Sequence, residues 1–326
     1  MAGPFYLYGS SVAAALLLSL LLMEYTKKRY GLKQGTVSWF AVLALPLGFL
    51  LARAGWCLSS VNWLKEQGVL FFFQFQRGGY MLYGALAGAL LAALLAAKIT
   101  GQRAVSVLDA AAAPAALTVC LGRLAEALVG QGYGRGIEDW FDPYNAMSSF
   151  AWEDPSPLFR FPLAQQNYYG TWNFAVFLPE ALMALAIFLI LLLAKRRAPG
   201  AHSSLALLLY AVGQILFESM RMDAVLKWGF VRVSQLLSAL AVAAVLLICC
   251  LRQPETAKKR FRIPMAWAGV LLLCGIMILM EFALEQKIAF LSWMYMDVCY
   301  LVMTLSCLGL LLIVLPLWKK AFPKLD

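Results

Sequence analysis

Nine stretches of the chain are long and apolar enough to cross about 30 Å of hydrocarbon, a task that takes about 20 helical residues. They fall near residues 4–23, 37–58, 80–98, 104–121, 174–194, 203–220, 228–251, 264–283 and 292–318. Every backbone polar group at membrane depth must be satisfied internally, so only helices or a closed barrel can span. The alternating ten-residue pattern of a barrel is missing, and the expected fold class is an all-α polytopic membrane protein. Composition excludes a soluble enzyme: 63% of the 326 residues are hydrophobic and 13% charged, against about 25% charged in soluble domains. No Lys or Arg precedes the first stretch. A signal peptide opens with a positive region, so this stretch is expected to be a retained span.

The formal charge is +10, and its distribution sets an orientation. Lys27, Lys28, Arg29 and Lys33 follow the first span, Lys98 and Arg103 the third, and Lys195, Arg196 and Arg197 the fifth. Arg252, Lys258, Lys259, Arg260 and Arg262 follow the seventh, and Lys319, Lys320 and Lys324 the ninth. Basic loops stay in the cytoplasm, which puts the N-terminus outside and the C-terminus inside. The positive charge then belongs to membrane topology, and no nucleic-acid partner is expected. The seven cysteines lie in or beside apolar segments without a CxxC pair and read as small hydrophobes. The single histidine, His202, sits in a basic loop and is expected in water. No metal or organic cofactor is indicated.

Residues 1–251 read as a seven-span core, and 252–326 as a basic linker with two additional helices. Glu281 and Asp297, near the outer ends of those two, are expected to pair with Lys287. One long loop, 129–173, falls on the outer face. It is acidic and aromatic and broken by Pro143, Pro155, Pro157 and Pro162. Such loops serve either as binding lids or as passive interfacial belts.

Charged groups within spans are costly and face a cavity or a partner. Here they are Arg53, Asp109, Arg123 with Glu126, Glu180, and Glu218 with Arg221. For Arg53 and Asp109 a structural pairing or snorkelling is the favoured reading. Arg123 and Glu126 are three apart and share a helix face. They lead into Gly130, Gly132, Gly134 and Gly136, where glycine permits close approach of a backbone and arginine suits a phosphate. Physical reasoning stops at an anion-competent polar site near the outer leaflet.

Gly122-Arg123 followed by a glycine-rich run ending Tyr133-Gly134-Arg135 resembles the signature of bacterial prolipoprotein diacylglyceryl transferases, Gly-Arg-x-Gly-Asn-Phe-x-Asn-Gly-Glu and then aromatic-Gly-Arg. Tyr8-Gly9 is similar to a Tyr-Gly near that family's N-terminus, and Arg53-Ala54-Gly55-Trp56 to its Ala-Arg-x-Gly-Tyr. Arg77-Gly78-Gly79-Tyr80-Met81-Leu82-Tyr83-Gly84 resembles its Gly-Gly-x-x-Phe-His-Gly-Gly segment. Asp109 and Pro114 stand where it has Asp-x-x-Ala-Pro, and Glu180-Ala181 where it has Tyr-Glu-Ala. Tyr210, Glu218, Arg221 and Asp223 resemble its Tyr-x-x-x-Arg-x-x-x-Glu-Phe-x-Arg-x-x-Asp run. The matching pieces lie in order across roughly residues 5–250.

The resemblance implies a multi-pass enzyme of the plasma membrane with its site facing the extracytoplasmic side. Such enzymes move the diacylglyceryl group of phosphatidylglycerol to the lipobox Cys thiol of a preprolipoprotein, release glycerol phosphate, and use no cofactor. It implies that Arg123 holds the phosphate and that Glu126 and Glu218 handle protons or order the site. Tyr8, Tyr83 and Tyr210 would position the headgroup, while Arg53, Gly84, Gln131, Gly134, Gln214 and Glu180 would complete the binding site. The loop 137–173 would cover the lipobox peptide. Several residues depart from the family pattern: Tyr83 replaces His, Ala125 Gly, Glu126 Asn, Gln131 Glu and Gln214 Arg. A tyrosine titrating near 10 is a poor base at neutral pH. These departures motivate a second expectation, the same fold with another phospholipid substrate or as an inactive lipid-binding partner. A transporter would show related halves or paired broken helices, which are not evident.

Overall fold

The computed structural model describes residues 3–60, 65–75, 78–136, 163–166, 171–223, 226–228, 231–253, 257–291 and 293–324. Within them the long helices are α1 (Gly3–Thr26), α2 (Thr36–Ser59), α3 (Leu82–Thr100), α4 (Ala104–Glu126), α5 (Phe177–Leu193), α6 (Ala201–Met220), α7 (Val233–Leu251), α8 (Ala257–Leu284) and α9 (Met296–Ala321). All but α5 are long and apolar enough to cross a membrane, and the protein is an all-α polytopic membrane protein. Leucines such as Leu17, Leu21, Leu240 and Leu312 are exposed on the helix surfaces, the faces that lipid tails cover.

The fifth expected span is shorter than its apolar run. Trp172–Ala175 is a strand, β3, paired antiparallel with β1 (Tyr133–Gly136) and β2 (Ala164–Gln166) in the order β1-β3-β2. The helix therefore opens at Phe177 rather than near 174, and its 17 residues reach about 25 Å. A second ribbon pairs β4 (Lys227–Trp228) with β5 (Val231–Arg232). The acidic and aromatic residues of 137–162 and 167–170, with the lid expected of them, lie outside the described residues.

The most extensive helix pair is α2 against α3. It closes through small residues, as helix contacts in lipid do. A Cβ on Gly84 would lie 2.8 Å from the Ala52 Cα, and one on Gly88 2.6 Å from the Gly48 Cα. Helices α8 and α9 pack together and onto α6 and α7, sharing one apolar cluster that runs from Leu208 and Val245 to Met280 and Leu310. Glu281 does not pair with Lys287. It accepts a hydrogen bond from Gln235 and lies 3.9 Å from Arg232, while Lys287 pairs with Glu285.

At the basic end of the bundle, charged side chains close helix termini. The Asp109 carboxylate accepts hydrogen bonds from the Gly200 N–H (2.6 Å), the Ser203 N–H (2.9 Å) and the Ser203 hydroxyl (2.8 Å), capping α6 from a neighbouring helix. Asp109→Ala should lower stability by about 1–2 kcal/mol, the usual cost of losing an N-cap, read as a depressed Tm of the detergent-solubilised protein. Arg29 donates to the Leu192 and Ala194 carbonyls at the end of α5. His202 is not in water. It is 4% exposed, edge-on to Tyr30 with ring centroids 5.5 Å apart, because it opens α6 and packs against the turn that follows α1.

Candidate active site

Three helix ends that are remote in sequence bring their charges together. The C-terminal turn of α4 carries Arg123 and Glu126, the first turn of α5 carries Glu180, and α6 ends in Glu218 followed by Arg221 and Asp223. At a helix end a polar side chain meets its partners without interrupting the apolar length, which is why the charges gather there. Arg123 donates to Glu126 Oε1 (Nη1, 2.5 Å) and to Glu180 Oε2 (Nε, 3.0 Å). Arg221 reaches Glu180 Oε2 (Nη1, 2.8 Å), Glu126 Oε2 (Nη2, 3.2 Å) and Asp223 (Nε, 2.9 Å; Nη2, 2.6 Å). All the carboxylates are buried or nearly so, and Glu180 is 1% exposed. A buried charge is tolerable only when paired, and here two arginines lie among Glu126, Glu180 and Asp223.

A relay of neutral groups leads off this cluster. The Tyr210 hydroxyl meets Arg123 and donates to Gln214 Oε1 (2.9 Å), and Gln214 Nε2 donates to Glu218 Oε2 (3.0 Å). Tyr83 enters from α3, shares a 2.5 Å hydrogen bond with Ser238 of α7, and lies in the field of Tyr210 and Glu218. Tyr8 of α1 lies in the field of Glu126, Arg123 and Arg221. Arg232 donates to the Glu218 and Arg221 carbonyls and so fixes the turn that leaves α6.

The glycine run forms the wall. Gly130 and Gly132 take positive φ (62° and 73°), a region open to glycine without a Cβ penalty. A Cβ at Gly132 would strike the Glu126 carboxylate. The Gly132 N–H instead donates to Asp223 Oδ2 at 2.8 Å. Gly134 lies in β1 and passes between α5 and the end of α6, where a Cβ would sit 2.8 Å from Val176 and 2.9 Å from the Met220 carbonyl. Asn173 Nδ2 donates to the Gly134 carbonyl, and the Met222 N–H to that of Tyr133. The strand therefore holds Arg221 and Asp223 in register with Arg123.

The structure thus gathers Arg123, Glu126, Glu180, Tyr210, Gln214, Glu218, Tyr83, Tyr8 and Gly134. It places three expected binding residues otherwise. Arg53 is fully buried and donates to the carbonyls of Phe71, Phe72, Gln74, Gly78 and Gly79, with Trp56, Phe71 and Tyr80 against its guanidinium. This is neither the snorkelling nor the ion pair expected from the sequence, because among the described residues backbone carbonyls rather than a carboxylate surround the guanidinium. Gly84 serves the α2–α3 contact, and Gln131 is exposed, its carbonyl accepting from Gln165 (2.9 Å). The residues not foreseen as site members are Arg221, Asp223, Arg232 and Ser238. The first two stood in the matched run after Glu218. An arginine at the head of a span, as Arg232 is, was the available signal for the third.

Burial works against the Asp223 charge, but the Arg221 guanidinium, its hydrogen bonds and the Gly132 N–H outweigh it, holding the carboxyl below the ordinary carboxylate range. A carboxyl depressed on folding adds stability that is present above its unfolded value, about 3.9, and is lost as pH falls through the folded value. Asp223→Asn should therefore cost about 1.5–3 kcal/mol at pH 7. In an acid unfolding series, the gap between variant and wild type should shrink below about pH 4.

The sequence model of a family described as prolipoprotein diacylglyceryl transferase matches residues 2–251. Among curated relatives, the phosphatidylglycerol–prolipoprotein diacylglyceryl transferase of Clostridioides difficile is 25% identical, covering 72% of this chain and 86% of that protein. The protein of the same name from Bacillus velezensis is 26% identical, covering 78% and 90%. That from Symbiobacterium thermophilum is 29% identical, covering 76% and 89%.

Proposed function

Since this chain belongs to the prolipoprotein diacylglyceryl transferase family, and is by that membership a diacylglyceryl transferase, we propose that it acts on phosphatidylglycerol and preprolipoproteins at the extracytoplasmic face of the plasma membrane. The observation that carries this is the joining of Arg123, Arg221, Glu180 and Glu218 at one end of the bundle, opposite the basic loops that favour the cytoplasm. Lipid reaches this end along the exposed apolar helix surfaces, and a lipobox peptide approaches from the aqueous side.

In the proposed reaction the lipobox thiol sulfur forms a bond to the terminal glyceryl carbon of the diacylglyceryl group. The bond from that carbon to the phosphate oxygen breaks, glycerol phosphate leaves with the electron pair, and a thioether remains. Arg123 holds two carboxylates where Arg221 holds three, and a phosphate reaches Arg123 by taking the place of Glu126 on Nη1. A positioned cation stabilises the departing phosphate. Glu126 is paired with both Arg123 and Arg221, and it leaves Arg123 when the phosphate arrives. Glu218 spends one carboxylate oxygen on Gln214 and keeps the other, so we assign it the thiol proton. The Tyr83 and Tyr210 hydroxyl protons go to Ser238 and Gln214, so their oxygens accept from the headgroup's glycerol hydroxyls.

Expression of this chain in cells depleted of their own transferase tests the reading. Restored thioether modification of lipoproteins is expected, with topology reporters placing residues 130–136 outside. Arg123→Ala, accumulated to the same level, should fail to restore it. A second reading, a phospholipid other than phosphatidylglycerol as donor, is favoured by Tyr83 and Gln214 standing where the resemblance expects His and Arg. Labelled donor lipids of different headgroups, supplied in parallel, separate the two.

A further inference from the structure

At the end of the bundle opposite the polar cluster, a half-open cleft is lined by Tyr30, Ser106, Asp109, Arg196, Arg197 and His202. Asp109 precedes Arg123 on α4 by fourteen residues, about 20 Å along the axis, so this cleft is separate from the transferase site. Within it His202 is 4% exposed, and its Nε2 has no hydrogen-bond partner. A buried ring nitrogen without a partner is costly. The Asp109 carboxylate does not supply one, because both its oxygens are committed to Gly200 and Ser203.

The cationic side of the cleft is preorganised. The 194–200 loop is held by Arg29 on the Leu192 and Ala194 carbonyls, by Arg252 on the Pro199 carbonyl and by the Ala198 N–H on Pro323. Arg197 lies over the Trp318 ring and uses Nη1 on the Phe322 carbonyl. Arg196, beside it, is exposed. Two guanidiniums with Arg29 nearby outweigh a carboxylate that three donors already satisfy. The Tyr30 and Ser106 hydroxyls complete a ring of groups able to donate to an anion.

We propose that this cleft binds one phosphate group, held by Arg196 and Arg197, with the Tyr30 and Ser106 hydroxyls and His202 Nε2 completing its hydrogen bonds. A guanidinium fork matches phosphate oxygens, and Nε2 accepts from a protonated phosphate oxygen. The phosphate belongs either to a lipid headgroup or to a free anion.

The full chain, in nanodiscs of a zwitterionic lipid, is titrated with inorganic phosphate and read by phosphorus NMR line broadening. Detergent-solubilised protein is compared by native mass spectrometry for retained phosphatidylglycerol. Arg196→Gln, an exposed position that leaves the fold intact, should weaken binding about tenfold, the effect of losing one charged hydrogen bond. His202→Gln should weaken it to a lesser degree. Weakening in both assays assigns the site to the phosphate group itself, and weakening of lipid retention alone assigns it to a headgroup. Wild type and both variants behaving alike in the two assays overturns the proposal.

Discussion

Replacing Arg221 by methionine should lower the unfolding free energy by about 3–5 kcal/mol and end transfer, although the proposed reaction assigns the phosphate to Arg123. Every nitrogen of its guanidinium is committed to Glu126, Glu180 or Asp223. Removing one partner of a buried ion pair strands the other, and that costs more than the pair contributed. Glu180, 1% exposed, suffers most, because Arg123 would be its only remaining cation. The double variant Arg221→Met/Glu180→Gln should recover part of the lost stability without recovering transfer. Thermal unfolding in micelles checks the first outcome and a transfer assay the second. An Arg221→Met protein as stable as wild type would show that the cluster is solvated rather than buried.

Gly84→Leu should leave little folded protein. The added Cβ alone would meet the Leu51 carbonyl and lie 2.8 Å from the Ala52 Cα, and both belong to backbone that cannot rotate away. Overpacking that side chains can absorb costs about 1–3 kcal/mol, and forcing two helices apart costs more. Gly275→Leu is the matched control, since nothing lies within 4 Å of a Cβ there and the site is on α8. Membrane accumulation of the two variants, compared at equal expression, measures the difference. Displacing α3 also moves Tyr83, which follows Leu82 at its head, so any Gly84 variant that survives should show impaired turnover.

Most of the helical architecture was legible because hydropathy reports burial in lipid directly. The start of α5 was not, since Phe174-Ala175 continues the apolar run expected from 174 and only strand pairing with 133–136 and 164–166 removes it from the helix. Arg53 was legible as a structural cation, but the carbonyls that hold it lie 18–26 residues downstream, too far for any local pattern. His202 is expected in water from its basic loop, but it is buried with its ring edge-on to Tyr30, a residue more than a hundred and fifty positions away. Arg123 with Glu126 was visible as a pair at helical spacing. Arg221 and Asp223 were visible only through the matched run, because their partners come from other helices. The resemblance expected a carboxylate at 131. The chain has Gln131, exposed, and instead carries one at Glu126 between the two arginines.

Purified protein in vesicles, incubated with labelled phosphatidylglycerol and a lipobox peptide, is read by mass spectrometry for a diacylglyceryl thioether. That thioether is expected, with glycerol phosphate released in equal amount. Loss of product in Glu218→Gln is also expected, with phosphatidylglycerol binding retained. Folded protein that yields no thioether from any phospholipid, beside a working relative, would contradict the proposed transfer.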